Sequence, residues 1–323
     1  MENRTAIDVH AHYFPSKYLD TLARFGSDQT DFARRMAAGD EHGQLEARLE
    51  LMNCAGVRAQ VLSVSSQLPY FEDRRRAADA ASLGNDLYAE TVARHPERLK
   101  AFAVVPLPHL DASLAEMERA LDTLKMVGVT AGITVLGRSL ADEAFEPFFA
   151  ELNRRQAVLF VHPAGEAACS PLIQQHQLTW PIGAPIEDTI FAAHLVARQI
   201  PARYPDLKIV IPHLGGALPL LVSRLDHQAA NFVPDSPKPP SAILRALWYD
   251  TVAHGSVAAL RCACEVFGAD RMLFGTDYPY QTGEHYQRAV SYISEAGLHS
   301  DAVAAILSRT SETLFPPWSF ASR

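Results

Sequence analysis

Four short segments of this 323-residue chain carry residue types that bind metal ions. They are His10-Ala11-His12, His162-Pro163, His213-Leu214-Gly215-Gly216 and Thr276-Asp277-Tyr278-Pro279. Each follows a short run rich in β-branched or aromatic residues, such as Leu159-Phe160-Val161 or Ile209-Val210-Ile211. Side chains alternate along a strand, so His10 and His12 project to one side and can chelate one ion. Imidazole nitrogen and carboxylate oxygen suit Zn²⁺ and other first-row divalent ions, with a position left open for water or substrate. Three neutral imidazoles and one carboxylate around such an ion leave a local charge of about +1. Each segment alone also fits ordinary structure: His162 as a strand terminus, Asp277 as a cap. The ordered set is the signal.

Residues at such spacing need a scaffold that brings strand ends together. Strands are expected at Ala6–Ala11, Ala59–Val64, Leu99–Val105, Val129–Leu136, Ala157–Val161, Leu207–Ile211, Leu247–Val252 and Arg271–Gly275. Between them lie apolar residues at helical spacing, as in Leu114, Met117, Leu121 and Leu124, with Asp111 and Ser113 before and Gly128 after. Eight strands alternating with helices most simply close into an α/β fold of the (β/α)₈ TIM barrel type. An open doubly wound sheet would call for a glycine-rich phosphate turn after the first strand, and the sequence has none. In a barrel the four segments end strands one, five, six and eight, at the C-terminal mouth where such folds do chemistry. Long connections at Tyr13–Gln44, Pro163–Pro185 and the proline-rich Val233–Pro240 are expected as functional loops. No repeat or linker divides the chain, so residues 1–323 read as one domain.

Apolar residues make up 48% and charged residues 20%, ordinary for a globular protein with a large core. The net charge of −8 argues against nucleic-acid or anionic-membrane partners. A small anionic substrate must therefore be drawn by a local positive centre. Four cysteines do not form a disulfide scaffold: Cys54 and Cys169 look isolated, and Cys262 and Cys264 face different ways on a helix. The first residues lack the apolar core of a signal peptide, and no apolar run approaches a membrane span, so a cytoplasmic enzyme is expected.

These motifs resemble the amidohydrolase superfamily. More narrowly they are similar to the branch of 2-amino-3-carboxymuconate-6-semialdehyde decarboxylase and the 6-methylsalicylate and γ-resorcylate decarboxylases. The resemblance runs from Ile7-Asp8-Val9-His10-Ala11-His12 through Leu51-Met52, Gly56-Val57 and Phe160-Val161-His162-Pro163. It continues in Trp180-Pro181-Ile182-Gly183, His213-Leu214-Gly215-Gly216 and Gly275-Thr276-Asp277-Tyr278-Pro279. It implies His10, His12, His162 and Asp277 as metal ligands, with His213 and Asp277 catalytic. Binuclear relatives carry a lysine at the end of strand four; here Val129–Gly137 has none, which implies one ion, Zn²⁺ by preference or Mn²⁺, and no organic cofactor. It also implies a homodimer or larger homo-oligomer, with Arg224 either gripping a substrate carboxylate across the interface or standing on a helix surface beside Asp226.

Other residues near the motifs are candidates of lower rank. Arg34 and Arg35 lie in the first long loop and offer a further carboxylate clamp. Phe14 and Trp180 are candidate substrate contacts; with Tyr13, Tyr278 and Tyr280 they line an aromatic pocket or simply pack. His254, just after the seventh strand, can approach the mouth. His194, within an apolar helix, reads as a packed or hydrogen-bonded core residue, and His42, His95, His109, His176, His227 and His285 as surface or loop residues.

Two reactions fit a single-metal site with an adjacent histidine and aspartate. In one, a carboxylate and its ortho oxygen bind the metal. Asp277, or metal-bound water activated by His213, then protonates the carbon and CO₂ leaves. In the other, a polarised carbonyl is hydrolysed as an amide or lactone. The branch motifs, with Leu62-Ser63-Val64-Ser65-Ser66 nearest the 6-methylsalicylate type, favour non-oxidative decarboxylation of an aromatic or conjugated unsaturated acid. A hydrolase, or a hydratase of the same branch, is the alternative. A non-catalytic metal-binding protein would be expected to lack a ligand or the base, and all five are present.

Overall fold

The computed structural model of the protein describes residues 6–166 and 170–318, so Cys169 lies outside the described residues. Eight parallel strands form the barrel: Ala6–His12, Val57–Ser63, Leu99–Ala101, Val129–Gly132, Val158–His162, Lys208–Ile211, Trp248–Asp250 and Met272–Leu273. The first three pair in order, as do the other five. Bridges between Ala103 and Val129, and between Ala11 and Tyr278, join the two groups into a ring. Main-chain bonds from Val9 N to Phe274 O (2.9 Å) and Asp277 N to His10 O (2.8 Å) seal the first strand to the last. Closure leaves no exposed sheet edge, and it places the ends of strands one and eight side by side.

Several strands are shorter than the apolar runs that announce them. The expected fourth strand, Val129–Leu136, stops at Gly132, and the chain turns into a hairpin of Thr134–Val135 with Arg138–Ser139. Leu136 and Gly137 both take left-handed dihedrals (φ 49° and 77°), the two-residue turn that matches the twist of a hairpin. The seventh strand ends at Asp250 because that carboxylate itself accepts from Val252 N at 2.9 Å, replacing a ladder rung. The helix expected around Leu114 begins at Leu110, so Asp111 and Ser113 lie inside it. The first long connection contains two helices, Ser16–Phe25 and Thr30–Arg35.

The barrel interior is filled by Ile7, Val9, Ala59, Val61, Phe102, Phe160, Val210 and Leu273. Phe102 and Phe160 stack with centroids 5.3 Å apart, and Phe315 meets Phe102 at 5.8 Å. Leu314, Phe315 and Trp318 thus plug the bottom of the barrel. The His10 ring stands edge-on to Phe160 at 5.0 Å, so this aromatic stack is the floor of the candidate site.

A bulge in the first strand decides what points inward. Asp8 pairs with Gln60 and Ala11 with Leu62, so the first strand spends three steps where the second spends two. Asp8, between the inward Ile7 and Val9, points out toward the helices, where it accepts from Gln60 Nε2 (2.8 Å), which also reaches Tyr286 Oη (3.1 Å). After the extra residue, His10 and His12 project into the mouth with the inner cluster below them.

Candidate metal and active site

The four strand ends converge as the spacing requires. His10 Nε2, His12 Nε2 and Asp277 Oδ1 lie 3.1–3.2 Å from one another. Donors held about 2.1 Å from one ion at near-right angles stand about 3 Å apart, so this spacing fits a shared ion. Single donor atoms of His10, His162, His213 and Asp277 also lie within 4.8 Å of one another. The His162 ring is 4.9 Å from His12 and 5.2 Å from His10, centroid to centroid. The structure thus brings together all five residues expected at the metal and catalytic positions.

For His10 and His162, a hydrogen bond on the far side of the ring sets which nitrogen faces the cluster. His10 Nδ1–H donates to Asp250 Oδ2 at 2.6 Å, which turns Nε2 toward the cluster. His162 Nδ1–H donates to the Pro163 carbonyl at 2.8 Å, and its buried Nε2 has no hydrogen-bond partner. A buried imidazole nitrogen without a partner is costly unless a ligand takes it, so the donor set suits a divalent cation. The charges agree. Burial lowers the basicity of His10, but Asp250 and Asp277 outweigh it and raise its pKa to about 10. Burial opposes ionisation of Asp277, yet His10 and His12 hold its carboxyl well below the usual range. Burial takes His12 down to about 4, and burial with the neighbouring imidazoles keeps His162 neutral. The pocket is built to hold positive charge at its centre.

His213 is anchored separately. Its Nδ1 lies 2.7 Å from Asp188 Oδ2, and its Nε2 faces Asp277 Oδ2 at 4.0 Å. Burial lowers its basicity, but the Asp188 carboxylate outweighs that and raises it. His213, Leu214 and Asp277 all hold left-handed dihedrals (φ 53°, 56° and 60°), which costs about 1–3 kcal/mol each and is characteristic of functional positions. The Gly-Gly after Leu214 is a spatial need: a Cβ on Gly216 would stand 1.9 Å from the Pro185 carbonyl oxygen. Likewise a Cβ on Gly275 would reach within 2.9 Å of His10 Cβ.

A cavity of about 650 Å³ opens over His162, His213 and Asp277, walled by residues that include Trp180, Pro185, Leu214, Val252, His254 and Tyr280. Trp180 and His254 therefore stand where the sequence placed them. Phe14 does not: it is buried (3% exposed) and its ring stacks on His12 at 6.0 Å, so it backs that imidazole rather than facing the cavity. Arg34 pairs with Asp20 at 2.6 Å, and Arg35 lies over the Phe32 ring, so neither clamps the cavity. Arg224 stands exposed on the helix Leu218–Phe232, outside the cavity lining; Asp226 instead accepts from Ser241 N at 2.8 Å. His194 is not packed in a core: it is exposed on its helix, with Nδ1 2.9 Å from Ser139 Oγ.

Three residues went unremarked in the sequence. Asp250 ends strand seven, Asp188 follows Glu187 in the Trp180 loop and its helix, and Arg48 lies on the helix Gln44–Ala55. A carboxylate at a barrel strand end was a usable signal for Asp250. Nothing local marks Arg48, which is fully buried, donates to the main-chain oxygen of His12 and lies 4.4 Å over the Tyr278 ring.

The chain is similar along nearly its whole length to known decarboxylases. It is 27% identical over 299 residues to the 2-amino-3-carboxymuconate-6-semialdehyde decarboxylase of Dictyostelium discoideum, covering 86% of this chain and 82% of the relative. It is 29% identical to the 6-methylsalicylic acid decarboxylase of Penicillium expansum, over 96% of both chains. The structure superposes on 5-carboxyvanillate decarboxylase from Sphingomonas paucimobilis with a TM-score of 0.84 at 25% identity, covering 97% of this chain and 99% of the other. It shares its fold with a dihydroxybenzoic acid decarboxylase from Polaromonas sp. JS666, solved with manganese and 2-nitroresorcinol (TM-score 0.82, 23% identity, 97% of both chains). A family model, Amidohydrolase, matches residues 7–316, all eight barrel strands but for the first residue of strand one, and on that match the chain belongs to the amidohydrolase family.

Proposed function

We propose that the protein is a metal-dependent, non-oxidative decarboxylase of an aromatic, salicylate-like carboxylic acid. The observation that carries the reading is the Asp188–His213 pair aimed at Asp277 beside the His10, His12 and His162 cluster, at the base of an open cavity. The full-length likeness to acid decarboxylases supports this reaction over hydrolysis or hydration, which the same five residues could serve.

His10, His12, His162 and Asp277 would hold one divalent ion. Three imidazoles favour Zn²⁺, and the carboxylate also admits Mn²⁺, the ion found in the Polaromonas relative. When bound, the ion supplies the positive charge that draws the substrate carboxylate and its ortho oxygen. Asp188 fixes the Nδ1–H of His213, so Nε2 faces Asp277 Oδ2 across 4.0 Å and can carry a proton toward the substrate. That proton passes to the ring carbon bearing the carboxylate. The carbon–carbon bond then breaks, its electron pair restores the aromatic ring, and CO₂ leaves.

The same reading makes residues 1–323 one catalytic domain acting in the cytoplasm; no helix among the described residues is long and apolar enough to cross a membrane. Leu220, 79% exposed, lies four residues before Arg224 on one helix, which supports a contact with a second copy in a homodimer.

The test is incubation of metal-loaded protein with hydroxybenzoates and unsaturated acids, following CO₂ and ultraviolet absorbance together. CO₂ release that chelation abolishes and one added metal restores is the expected result. Turnover of lactone or amide probes without CO₂ would move the protein to the hydrolase reading.

A further inference from the structure

Away from the metal cluster the cavity has a different chemistry. Its wall there includes Pro181, Ala184, Leu214, Val252, Ala253 and Ala259. Among the described residues that line it there is no lysine, arginine or glutamate, and Asp277 is the one carboxylate. The polar groups on this wall are the Trp180 indole, the Tyr280 hydroxyl, which is already bonded to Ser66, and His254. A charge placed against the apolar part of this surface gives up water there and meets no lysine or arginine, so it is disfavoured. The cavity is also larger than a single ring needs. Pockets of about 300–1,000 Å³ enclose whole drug-sized molecules, and this one has about 650 Å³.

We infer that the substrate carries a single carboxylate, held at the metal end, and a hydrocarbon substituent that lies against Ala184, Ala253 and Ala259. The class is a monocarboxylic 2-hydroxyaryl acid with an alkyl chain or second ring, not a dicarboxylate of the carboxyvanillate or carboxymuconate kind. This rests on the decarboxylase reading and narrows it. The alanines matter because each leaves space that a larger side chain would fill. Ala259 sits near the start of the helix Val257–Phe267 and Ala184 at the start of Ala184–Ala197, so two rigid elements shape the space. Each methylene buried there should raise kcat/KM by about fourfold until the space is filled.

The experiment compares 2-hydroxybenzoates bearing hydrogen, methyl, propyl or pentyl with 4-hydroxyisophthalate, on the metal-loaded protein. The expected result is a kcat/KM that climbs with chain length, and a dicarboxylate about 100-fold below the best alkyl acid. Ala259→Leu should flatten the climb between propyl and pentyl. Equal or better turnover of 4-hydroxyisophthalate, or no dependence on chain length, overturns the inference. If that dicarboxylate activity were then lost in Arg224→Ala or His254→Leu, the cation that meets the second carboxylate would be identified. Binding of unreactive 3-alkyl-2-nitrophenols and of 4-hydroxy-3-nitrobenzoate, measured by calorimetry, separates the two readings. Tighter binding with chain length but no CO₂ from any acid would sink decarboxylation and keep the apolar subsite. CO₂ release with tightest binding of the carboxylated nitrophenol would do the reverse.

Discussion

Asp250 holds His10 and His213 in register with its two oxygens. Oδ2 accepts the His10 Nδ1–H at 2.6 Å, and Oδ1 accepts the main-chain N–H of His213 at 2.9 Å. One carboxylate at the end of strand seven thereby orients a candidate metal ligand from strand one and the loop that follows strand six. Removing it frees the His10 ring and leaves the His213 turn without an acceptor. Asp250→Ala is expected to weaken metal binding by about 10- to 100-fold. Competition against a chelator of known affinity measures this directly, and an unchanged affinity would show that Asp250 does not orient the ligand.

His213 and Asp188 act as one unit, 2.7 Å apart. His213→Ala should leave the metal content intact and lower kcat by about 10²- to 10⁴-fold, the usual worth of a positioned proton-transfer group. Asp188→Asn should lower kcat less, because the ring remains but its tautomer is no longer held. The double variant should be no slower than His213→Ala alone, since the aspartate acts only through the ring. Additive losses would mean that Asp188 has a second role.

Arg48 joins three parts of the mouth without a carboxylate partner among the described residues. It donates to the His12 main-chain oxygen and to Gln60 Oε1 (3.2 Å), and it covers the Tyr278 ring. Arg48→Met keeps much of the volume and removes the charged donors. The expected cost is about 2–4 kcal/mol, from the lost charged hydrogen bonds and the acceptors left unpaired. Denaturant unfolding reads this as a lower midpoint. An unfolding free energy within about 0.5 kcal/mol of the parent would show that water satisfies those acceptors.

Glu146 sets an acid limit on stability. Arg203 bonds it most strongly, with Tyr204 and Arg198 adding to the effect, and together they lower its pKa from 4.5 to about 2. A carboxylate depressed in the folded state stabilises the protein above its unfolded pKa and loses that contribution as pH falls through its folded pKa. The parent should therefore exceed Glu146→Gln in melting temperature above about pH 4.5, and the two should converge toward pH 2. A gap that persists unchanged at pH 2 would assign the stabilisation to packing rather than charge.

The candidate ligands are legible because metal chemistry restricts residue type, and strand period two ties His10 to His12 without any knowledge of the partners. The eight apolar runs likewise announced eight strands, since burial on both faces of a parallel strand leaves a continuous apolar signature. Their ends were less legible. Val129–Leu136 reads as one run, yet it divides at Gly132, where a Cβ would collide with the Thr134 carbonyl oxygen and Leu68. Phe14 looked like a substrate contact from its place beside His12, but a residue two further along the chain can lie behind a ligand as readily as in front of it.

The sequence by itself determined the candidate groups: three imidazoles, one carboxylate and a fourth histidine at the ends of strands one, five, six and eight. Tertiary structure decided how those groups are held. Asp188 and Asp250 lie 25 and 240 residues from the histidines they orient, and no local pattern links such pairs. The bulge after Asp8 is set by pairing with strand two, and it sends His10 and His12 inward although Asp8, two residues earlier, faces out toward Gln60. The floor of the site comes from Phe160, Phe102 and Phe315, residues brought together because a closed barrel must fill its interior. Residue type is a local property, whereas orientation and depth depend on which distant surfaces the closed ring brings into contact.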